Sequence, residues 1–416
     1  MDGAADDRLS AIQMTDWTRP GRLLAAATFS GAVGLGAVTP LTVLFFVRFV
    51  GLPARAVGLG MSVASVLALA CVVPAGRLAD RYGPRRVSIL LSVAAAGVLG
   101  TYVLVRYFAA FLVVQCLLTM LFASGRVSEN ALIAGVLPRE QRTRFKARQR
   151  SVYNIGFALG TLLAAIPLQV DRRGAYVAVI LADVAVTALG AGLVAALPRV
   201  APLPVEPGRN GLGAIRDRPY AVVALLCGLT AVQTSLLTVA LPLWVTTRTE
   251  APRPLVSVLL LLNTVMVVVL QVWAARGADT AGTARIVNLR GALAFLVACP
   301  IVGLAAGVRP WLAVALLVTG IAVFTMGEMW MAAAGWTLGF ELADERAHGQ
   351  YQGVFALGTG IGRMVGPVLA TNLVLPAGVL GWGSAGAFFA VLGLCTVPAV
   401  DWAIRERAGR SDRAPA

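Results

Sequence analysis

The chain reads GRLADRYGPRR from residue 76 to residue 86, a short basic stretch between two long apolar runs. These runs cover about residues 57–75 and 87–105. Each is close to the roughly 20 residues that an α-helix needs to cross a lipid bilayer. Residues 76–86 are therefore interpreted as a loop that joins two transmembrane helices.

The same pattern continues in both directions along the chain. Further membrane-spanning runs are predicted at about 23–47, 109–137, 151–170, 175–197, 220–246, 255–274, 286–308, 311–340, 351–375 and 383–404. The fold class is thus an all-α integral membrane protein with twelve transmembrane helices. The regions outside the helices are an N-terminal tail (1–22), a linker between the halves (198–219) and a C-terminal tail (405–416). Basic residues concentrate in alternate loops, which predicts both termini on the cytoplasmic side of the cell membrane.

Composition excludes most other classes of protein. The 416 residues are 58% hydrophobic and only 13% charged, too apolar for an ordinary water-soluble surface. The formal net charge of +15 comes almost entirely from arginines in short loops, so nucleic acid is not expected as a partner. The sequence has no P-loop, HExxH or GxSxG motif and no cysteine pattern for a metal. It therefore predicts no enzyme activity, no cofactor and no metal.

An internal repeat divides the chain into two halves. Phe157 to Thr161 reads FALGT, and the same five letters return 198 residues later at 355–359. Asp279, at an offset of 199, repeats Asp80. Two matches at nearly one offset indicate duplication of a six-helix unit, the parallel-repeat arrangement found in one large class of secondary transporters. Two pseudo-symmetric six-helix bundles are therefore predicted.

On these residues the chain resembles the major facilitator superfamily over essentially its full length. The most specific match is the segment from Gly76 to Arg86, which is similar to the family's signature loop. Its key positions are Gly76, Asp80, Arg81, Gly83, Arg85 and Arg86. The resemblance implies that Asp80 faces the start of the eleventh helix, near Tyr351, and that Asp80 and Arg81 close the cytoplasmic side in one state of the transport cycle.

An acidic loop precedes the eleventh helix and contains Glu341, Asp344 and Glu345. One interpretation pairs these acids with Arg81, Arg85 or Arg86 of the signature loop. The other is an ordinary solvated helix end.

Five ionisable side chains fall inside predicted helices, where charges are costly and commonly mark a pathway, a proton site or a buried pair. They are Arg126 and Glu129 in the fourth helix, Asp183 in the sixth, Glu328 in the tenth and Arg363 in the eleventh. Glu129 and Glu328 are 199 residues apart and therefore occupy corresponding places in the two halves. In this family the fourth and tenth helices line the central cavity, so the two acids are expected to face one another.

Their neighbours in sequence differ. Arg126 lies one helical turn before Glu129 and is expected to keep that carboxylate ionised, although the two could equally form a structural pair. Glu328 has no such neighbour and is the preferred proton-coupling residue; the alternative is a structural acid paired with Arg363 or another polar group. Arg363 could also bind an anionic substrate. Asp183 is expected to support the fold.

These features predict proton-coupled export of a small amphipathic organic compound, such as a drug or secondary metabolite. The fifth helix lacks the Gly-Pro pair typical of the family's drug/proton antiporters. The sequence therefore does not assign the chain to the antiporter subtype. The alternatives are a proton-coupled uptake symporter for a nutrient and, in another class, a receptor or scaffold that moves nothing. The expected partners are the small-molecule substrate and the lipid bilayer, with no obligate protein partner and a monomeric state.

Overall fold

The computed structural model describes residues 18–198, 213–344 and 347–411. Within them, twelve helices are long and apolar enough to cross a membrane. They are α1 (Arg19–Phe49), α2 (Arg55–Tyr82), α3 (Pro84–Leu104), α4 (Phe108–Val136), α5 (Arg139–Val170), α6 (Arg173–Ala195), α7 (Arg218–Arg248), α8 (Leu255–Ala274), α9 (Ala281–Gly303), α10 (Pro310–Glu341), α11 (His348–Val374) and α12 (Gly378–Ala408). The predicted number of helices and the all-α membrane class are confirmed.

Helix α5 differs most from its predicted bounds. It begins at Arg139, whereas the apolar run begins at residue 151. Residues 139–150 are rich in arginine, glutamine and lysine, which favour a helix but contribute nothing to an apolar run. The predicted linker at 198–219 lies mostly outside the described residues; its described end holds a short helix, Gly213–Arg216.

The helices pack as two bundles with the same internal arrangement. In the first bundle α1 packs against α5 and α6, α2 against α4, and α3 against α4 and α6. In the second bundle α7 packs against α11 and α12, α8 against α10, and α9 against α10 and α12. Each pair in one half has its counterpart six helices later, which confirms the predicted pseudo-symmetric halves.

Each bundle has its own aromatic core. In the first bundle the rings of Phe46 and Phe111 lie 4.6 Å apart, and both side chains are fully buried. In the second bundle Trp244 and Trp382 lie 6.1 Å apart and are similarly buried. Between membrane-spanning helices such rings contribute close van der Waals packing, and each half has its own packed centre.

Within the described residues, the main contacts between the bundles are made by four helix pairs. These are α2 with α11, α5 with α8, α4 with α11, and α5 with α10. The pseudo-twofold axis exchanges the first pair with the second and the third with the fourth. We call one end of the molecule the signature-loop face; it carries the α2–α3 loop at Gly83, the α8–α9 loop at Asp279 and the start of α11 at His348.

Candidate gate and substrate site

Asp80 joins the end of α2 to the start of α11. Its carboxylate accepts hydrogen bonds from the backbone N–H groups of Gly349, at 2.6 Å, and Gln350, at 2.9 Å. The first N–H groups of a helix have no partner within that helix, and a negative charge there is stabilised by the helix dipole. Asp80 therefore faces the start of α11, as the resemblance implied, and α11 begins three residues before Tyr351.

Two glycines allow α2 and α11 to touch at this point. A Cβ atom added at Gly76 would overlap the backbone carbonyl of Gly349, and one added at Gly349 would overlap the backbone of Gly76. The two backbones are thus in direct contact. Any side chain at either position would force the helices, and with them the bundles, apart.

The other residues of the signature loop act within the first bundle. Gly83 ends α2 with a backbone φ of 89°, a conformation that favours glycine. Arg85 donates a hydrogen bond to a carbonyl at the end of α6, and Arg81 lies over the ring of Tyr82, 5.3 Å from its centre. Arg86 is exposed. Of the two residues that the resemblance assigned to closure, Asp80 contacts the second bundle, whereas the contact of Arg81 is local.

Glu341, the first acid of the loop before α11, has a partner that neither interpretation named. The Glu341 carboxylate accepts a hydrogen bond from the backbone N–H of Ala281 at 2.7 Å and so caps the start of α9. The predicted pairing of Glu341 with a signature-loop arginine is therefore wrong, because the unpaired N–H groups of a nearby helix start compete for the carboxylate. Glu345 lies outside the described residues.

The start of α11 is anchored firmly in the second bundle. The Tyr351 hydroxyl donates to Asp217 at 2.7 Å, and the Tyr220 hydroxyl donates to the Tyr351 carbonyl at 3.0 Å. Arg407 lies 3.6 Å from the same Asp217 carboxylate. When Asp80 binds the start of α11, it therefore binds a part of the second bundle that is fixed by its own polar network.

Glu328 forms an ion pair that crosses between the bundles. One carboxylate oxygen accepts from the guanidinium of Arg150 on α5, and the other accepts from Asn263 on α8 at 2.9 Å. Asn263 also donates to Thr325 on α10 at 3.0 Å. The Glu328 residue is only 9% exposed. Of the two partners that the alternative allowed, Arg363 or another polar group, the structure shows the second, Arg150. Arg150 lies in the polar segment that hydropathy left outside the predicted helix.

Glu129 is held inside the first bundle. It accepts hydrogen bonds from Gln149 on α5 at 2.6 Å and from Thr28 on α1 at 3.3 Å. Lys146 donates to Gln149 at 2.7 Å, which orients the amide. Among the described residues Arg126 makes no hydrogen bond or ion pair with Glu129, contrary to the expectation from their spacing. Both intramembrane acids are instead bonded to consecutive residues of α5, Glu129 to Gln149 and Glu328 to Arg150.

Arg126 and Arg363 have exposed side chains near the middle of α4 and α11. Arg363 is repelled electrostatically by Arg126 and by Arg150. Tyr153 of α5 interacts electrostatically with both Arg126 and Arg363. These side chains, from three helices that meet between the bundles, therefore share one region.

Asp183 lies apart from this group. It is buried where α6 packs on α1, and a Cβ atom added at Gly34 would overlap its carboxylate. The carboxylate also accepts a hydrogen bond from Thr187 on its own helix. Its position fits a role in helix packing.

Further polar contacts between the bundles lie toward the signature-loop face. The hydroxyls of Thr143 on α5 and Thr337 on α10 are 2.8 Å apart, and Ser151 on α5 donates to the Val268 carbonyl on α8 at 3.1 Å. Together with the contacts of Asp80 and Glu328, they hold the bundles together toward this end of the molecule. This combination of paired bundles, signature loop and closed face can be compared with known proteins.

The sequence model of the Major Facilitator Superfamily matches residues 24–367. The chain belongs to this superfamily. The superfamily assignment supports secondary transport across a membrane in general. No curated protein sequence matches the chain.

Solved structures share the fold at low sequence identity. A bacterial homologue of the iron transporter ferroportin, in an outward-facing state, matches with a TM-score of 0.73 and 13% identity, covering 93% of this chain and 100% of that one. The E. coli fucose:proton symporter FucP gives a TM-score of 0.67 at 14% identity, covering 92% and 98%. The human organic anion transporter MFSD10 (TETRAN) gives 0.66 at 16% identity, covering 92% and 99%. At these identities the likeness concerns the fold alone.

Proposed function

We propose that this superfamily member exports a small amphipathic organic compound from the cell in exchange for protons, by alternating access. In this proposal it resides in the plasma membrane with the signature-loop face toward the cytoplasm. The proposal is carried by one observation, the ion pair between Arg150 of the first bundle and Glu328 of the second.

Protonation of Glu328 would remove one charge of a pair that joins the bundles. Removing one partner of a buried ion pair typically costs about 3–5 kcal/mol, because the remaining charge is left without compensation. Arg150 would lose its carboxylate partner and would still be repelled by Arg363. The closed signature-loop face would therefore be destabilised whenever Glu328 accepts a proton.

This sequence of events gives exchange rather than co-transport. A proton that enters from the outer side neutralises Glu328 and allows the cytoplasmic side to open. There the proton leaves and the cargo binds, and renewed pairing of Glu328 with Arg150 favours return to the closed face with cargo carried outward. One charge moved through the membrane potential is worth about 2.3 kcal/mol per 100 mV, which is enough to drive accumulation.

The substitution Glu328→Gln tests the proposal. A cysteine introduced at Thr143, between the bundles at the signature-loop face, reports opening through its reaction with a membrane-impermeant maleimide after the five native cysteines are replaced. Maleimide reacts with the thiolate, so each rate is divided by the rate of a fully exposed cysteine at the same pH. Without the substitution, acidification should increase this relative rate. The Glu328→Gln variant should keep a high relative rate at every pH and should lose accumulation driven by a pH gradient in inverted vesicles.

Glu140→Gln is the matched control, since it makes the same chemical change at an exposed position of α5. It should behave like the unsubstituted protein. If labelling of the Glu328→Gln variant still depends on pH as before, Glu328 is not the proton site. If the face opens only when proton and cargo are both present, uptake by symport replaces export.

A further inference from the structure

We propose that the region shared by α4, α5 and α11 is the cargo site and that it binds an aromatic organic anion, held by Arg126, Arg363 and Tyr153. The inference rests on the proposed transport function and specifies the class of cargo.

The positions of Arg126 and Arg363 suit binding of a ligand better than a structural ion pair. Both lie near mid-helix in membrane-spanning segments, where an arginine is costly unless it faces water or a partner. Both side chains are exposed. In the described part of the chain neither forms a hydrogen bond or an ion pair. Since α4 and α11 pack together across the bundle interface, water between the bundles is the available solvent.

The nearby carboxylates do not neutralise them. Glu129 is bonded to Gln149 and Thr28, and Glu328 to Arg150 and Asn263. Arg126 and Arg150 both repel Arg363, and in the described part of the chain Arg150 alone of the three has a carboxylate partner. Two unpaired guanidinium groups form a site for a carboxylate, sulfonate or phosphate, which they can bind through paired, charge-assisted hydrogen bonds.

An aromatic surface lies beside the charges. Tyr153 is 37% exposed and stacks on Phe157, with ring centres 6.0 Å apart and planes at 20°. Tyr153 also interacts electrostatically with both arginines. A cargo with an aromatic ring next to its acid group can therefore contact Tyr153 while the acid binds Arg126 and Arg363.

An anionic cargo changes the charge balance of the exchange. If one monoanion leaves the cell for each proton that enters, both movements transfer positive charge inward. An inside-negative potential would then drive export through both substrates. A cationic cargo exchanged for one proton would move no net charge.

Binding to the purified full-length protein tests the inference with three probes of one shape: naphthoate (an anion), naphthamide (neutral) and naphthylmethylammonium (a cation). Calorimetry should show naphthoate binding about tenfold or more tightly than naphthamide, since a hydrogen bond to a charged group contributes about 1.5–3 kcal/mol. The cation should bind least. Equal affinity for all three, or no binding of naphthoate at millimolar concentration, would overturn the proposal without reference to any variant.

Substitutions then assign the site. Arg126→Gln and Arg363→Gln should each weaken naphthoate binding about tenfold and leave naphthamide binding unchanged. The lysine variants at both positions should retain part of the affinity because they keep the charge. Arg290→Gln removes an exposed arginine from α9, which packs mainly against α10 and α12 of its own bundle, and should have no effect. Folded glutamine variants that bind naphthoate normally would contradict the inference.

The outcome separates this inference from the proposed function. Glu328→Gln should still bind naphthoate, because Glu328 is not part of the anion site. If naphthoate binds as described but its transport does not depend on the pH gradient, the proposed proton coupling is wrong and the proposed anion site is supported. If coupling is confirmed and the three probes bind equally, the cargo class is wrong and the transport mechanism stands.

Discussion

The α2–α11 and α5–α8 contacts are related by the pseudo-twofold axis, yet only the α2–α11 contact joins a carboxylate to the start of a helix. Asp80 and Asp279 correspond in the repeat: Asp80 lies in the last turn of α2, and Asp279 lies shortly after the end of α8. Asp80 accepts two backbone N–H bonds at the start of α11. Asp279 lies 4.0 Å from the side chain of Arg144, and both of these side chains are at least half exposed.

The difference follows from where the partner helix begins. α11 begins at His348, level with Asp80, so its free N–H groups point at the carboxylate. α5 begins at Arg139 and continues past the corresponding level, near Ser151, where its N–H groups are already bonded within the helix. The two corresponding aspartates therefore contribute differently to the contact between the bundles. Asp80 binds the start of a helix through charge-assisted hydrogen bonds, whereas Asp279 forms a solvent-exposed ion pair, which contributes less.

The largest effect is expected from Gly76→Val. The added side chain would overlap the backbone of α11, and overpacking at a contact without free space costs about 1–3 kcal/mol or more, equivalent to a shift of up to about 100-fold against the closed state. Labelling of the cysteine at Thr143 should rise accordingly and transport should fall.

Gly97→Val is the control for the Gly76 substitution, since a Cβ atom at Gly97 would meet nothing within 4 Å. Normal transport by the Gly76→Val variant would show that α2 and α11 do not need direct backbone contact.

Asp80→Asn should have the next largest effect. The amide keeps one acceptor oxygen but loses the negative charge at the start of α11, so a loss of about 1–2 kcal/mol, or about tenfold in the closed population, is expected. The labelling rate measures this shift. Asp279→Asn, made in parallel, should leave the rate nearly unchanged, and equal effects of the two substitutions would remove the asymmetry described above.

The smallest effect is expected from Arg144→Gln. Exposed ion pairs contribute roughly 0–1 kcal/mol and are screened by salt, so the closed population should change less than about fivefold at low salt and not at all at high salt. Double electron–electron resonance between spin labels on the two bundles measures the two populations directly. A salt-independent loss larger than that of Asp80→Asn would reverse the ranking of the two contacts.

The sequence predicts the fold well because its signals are local. Runs of about 20 apolar residues determine the twelve helices, and the FALGT repeat reveals the two halves. The contact of Asp80 with α11 was implied by the resemblance of the signature loop to that of the family. The repeat offset predicts that Glu129 in α4 and Glu328 in α10 occupy corresponding positions in the two halves.

The partners of those acids could not be predicted from spacing. Arg150 lies 178 residues from Glu328, and it belongs to a polar segment that a hydropathy criterion assigns to a loop. The helix-forming composition of residues 139–150 is the signal that would have extended α5. For Arg126 the sequence suggested a partner that the structure does not show. Its position one turn before Glu129 predicted a pair, but the side-chain amide of Gln149 binds the Glu129 carboxylate instead.

The adjacency of Gln149 and Arg150 restricts how α5 can move. Successive residues of an α-helix point about 100° apart, so these two side chains leave α5 toward different neighbours. Gln149 stays bonded to Glu129 of the same bundle, and Arg150 alone reaches across to Glu328. A swing of the first bundle about an axis through the Gln149 contact would withdraw Arg150 while that internal bond stays intact. Opening would then need no unwinding of α5 and no rearrangement inside either half.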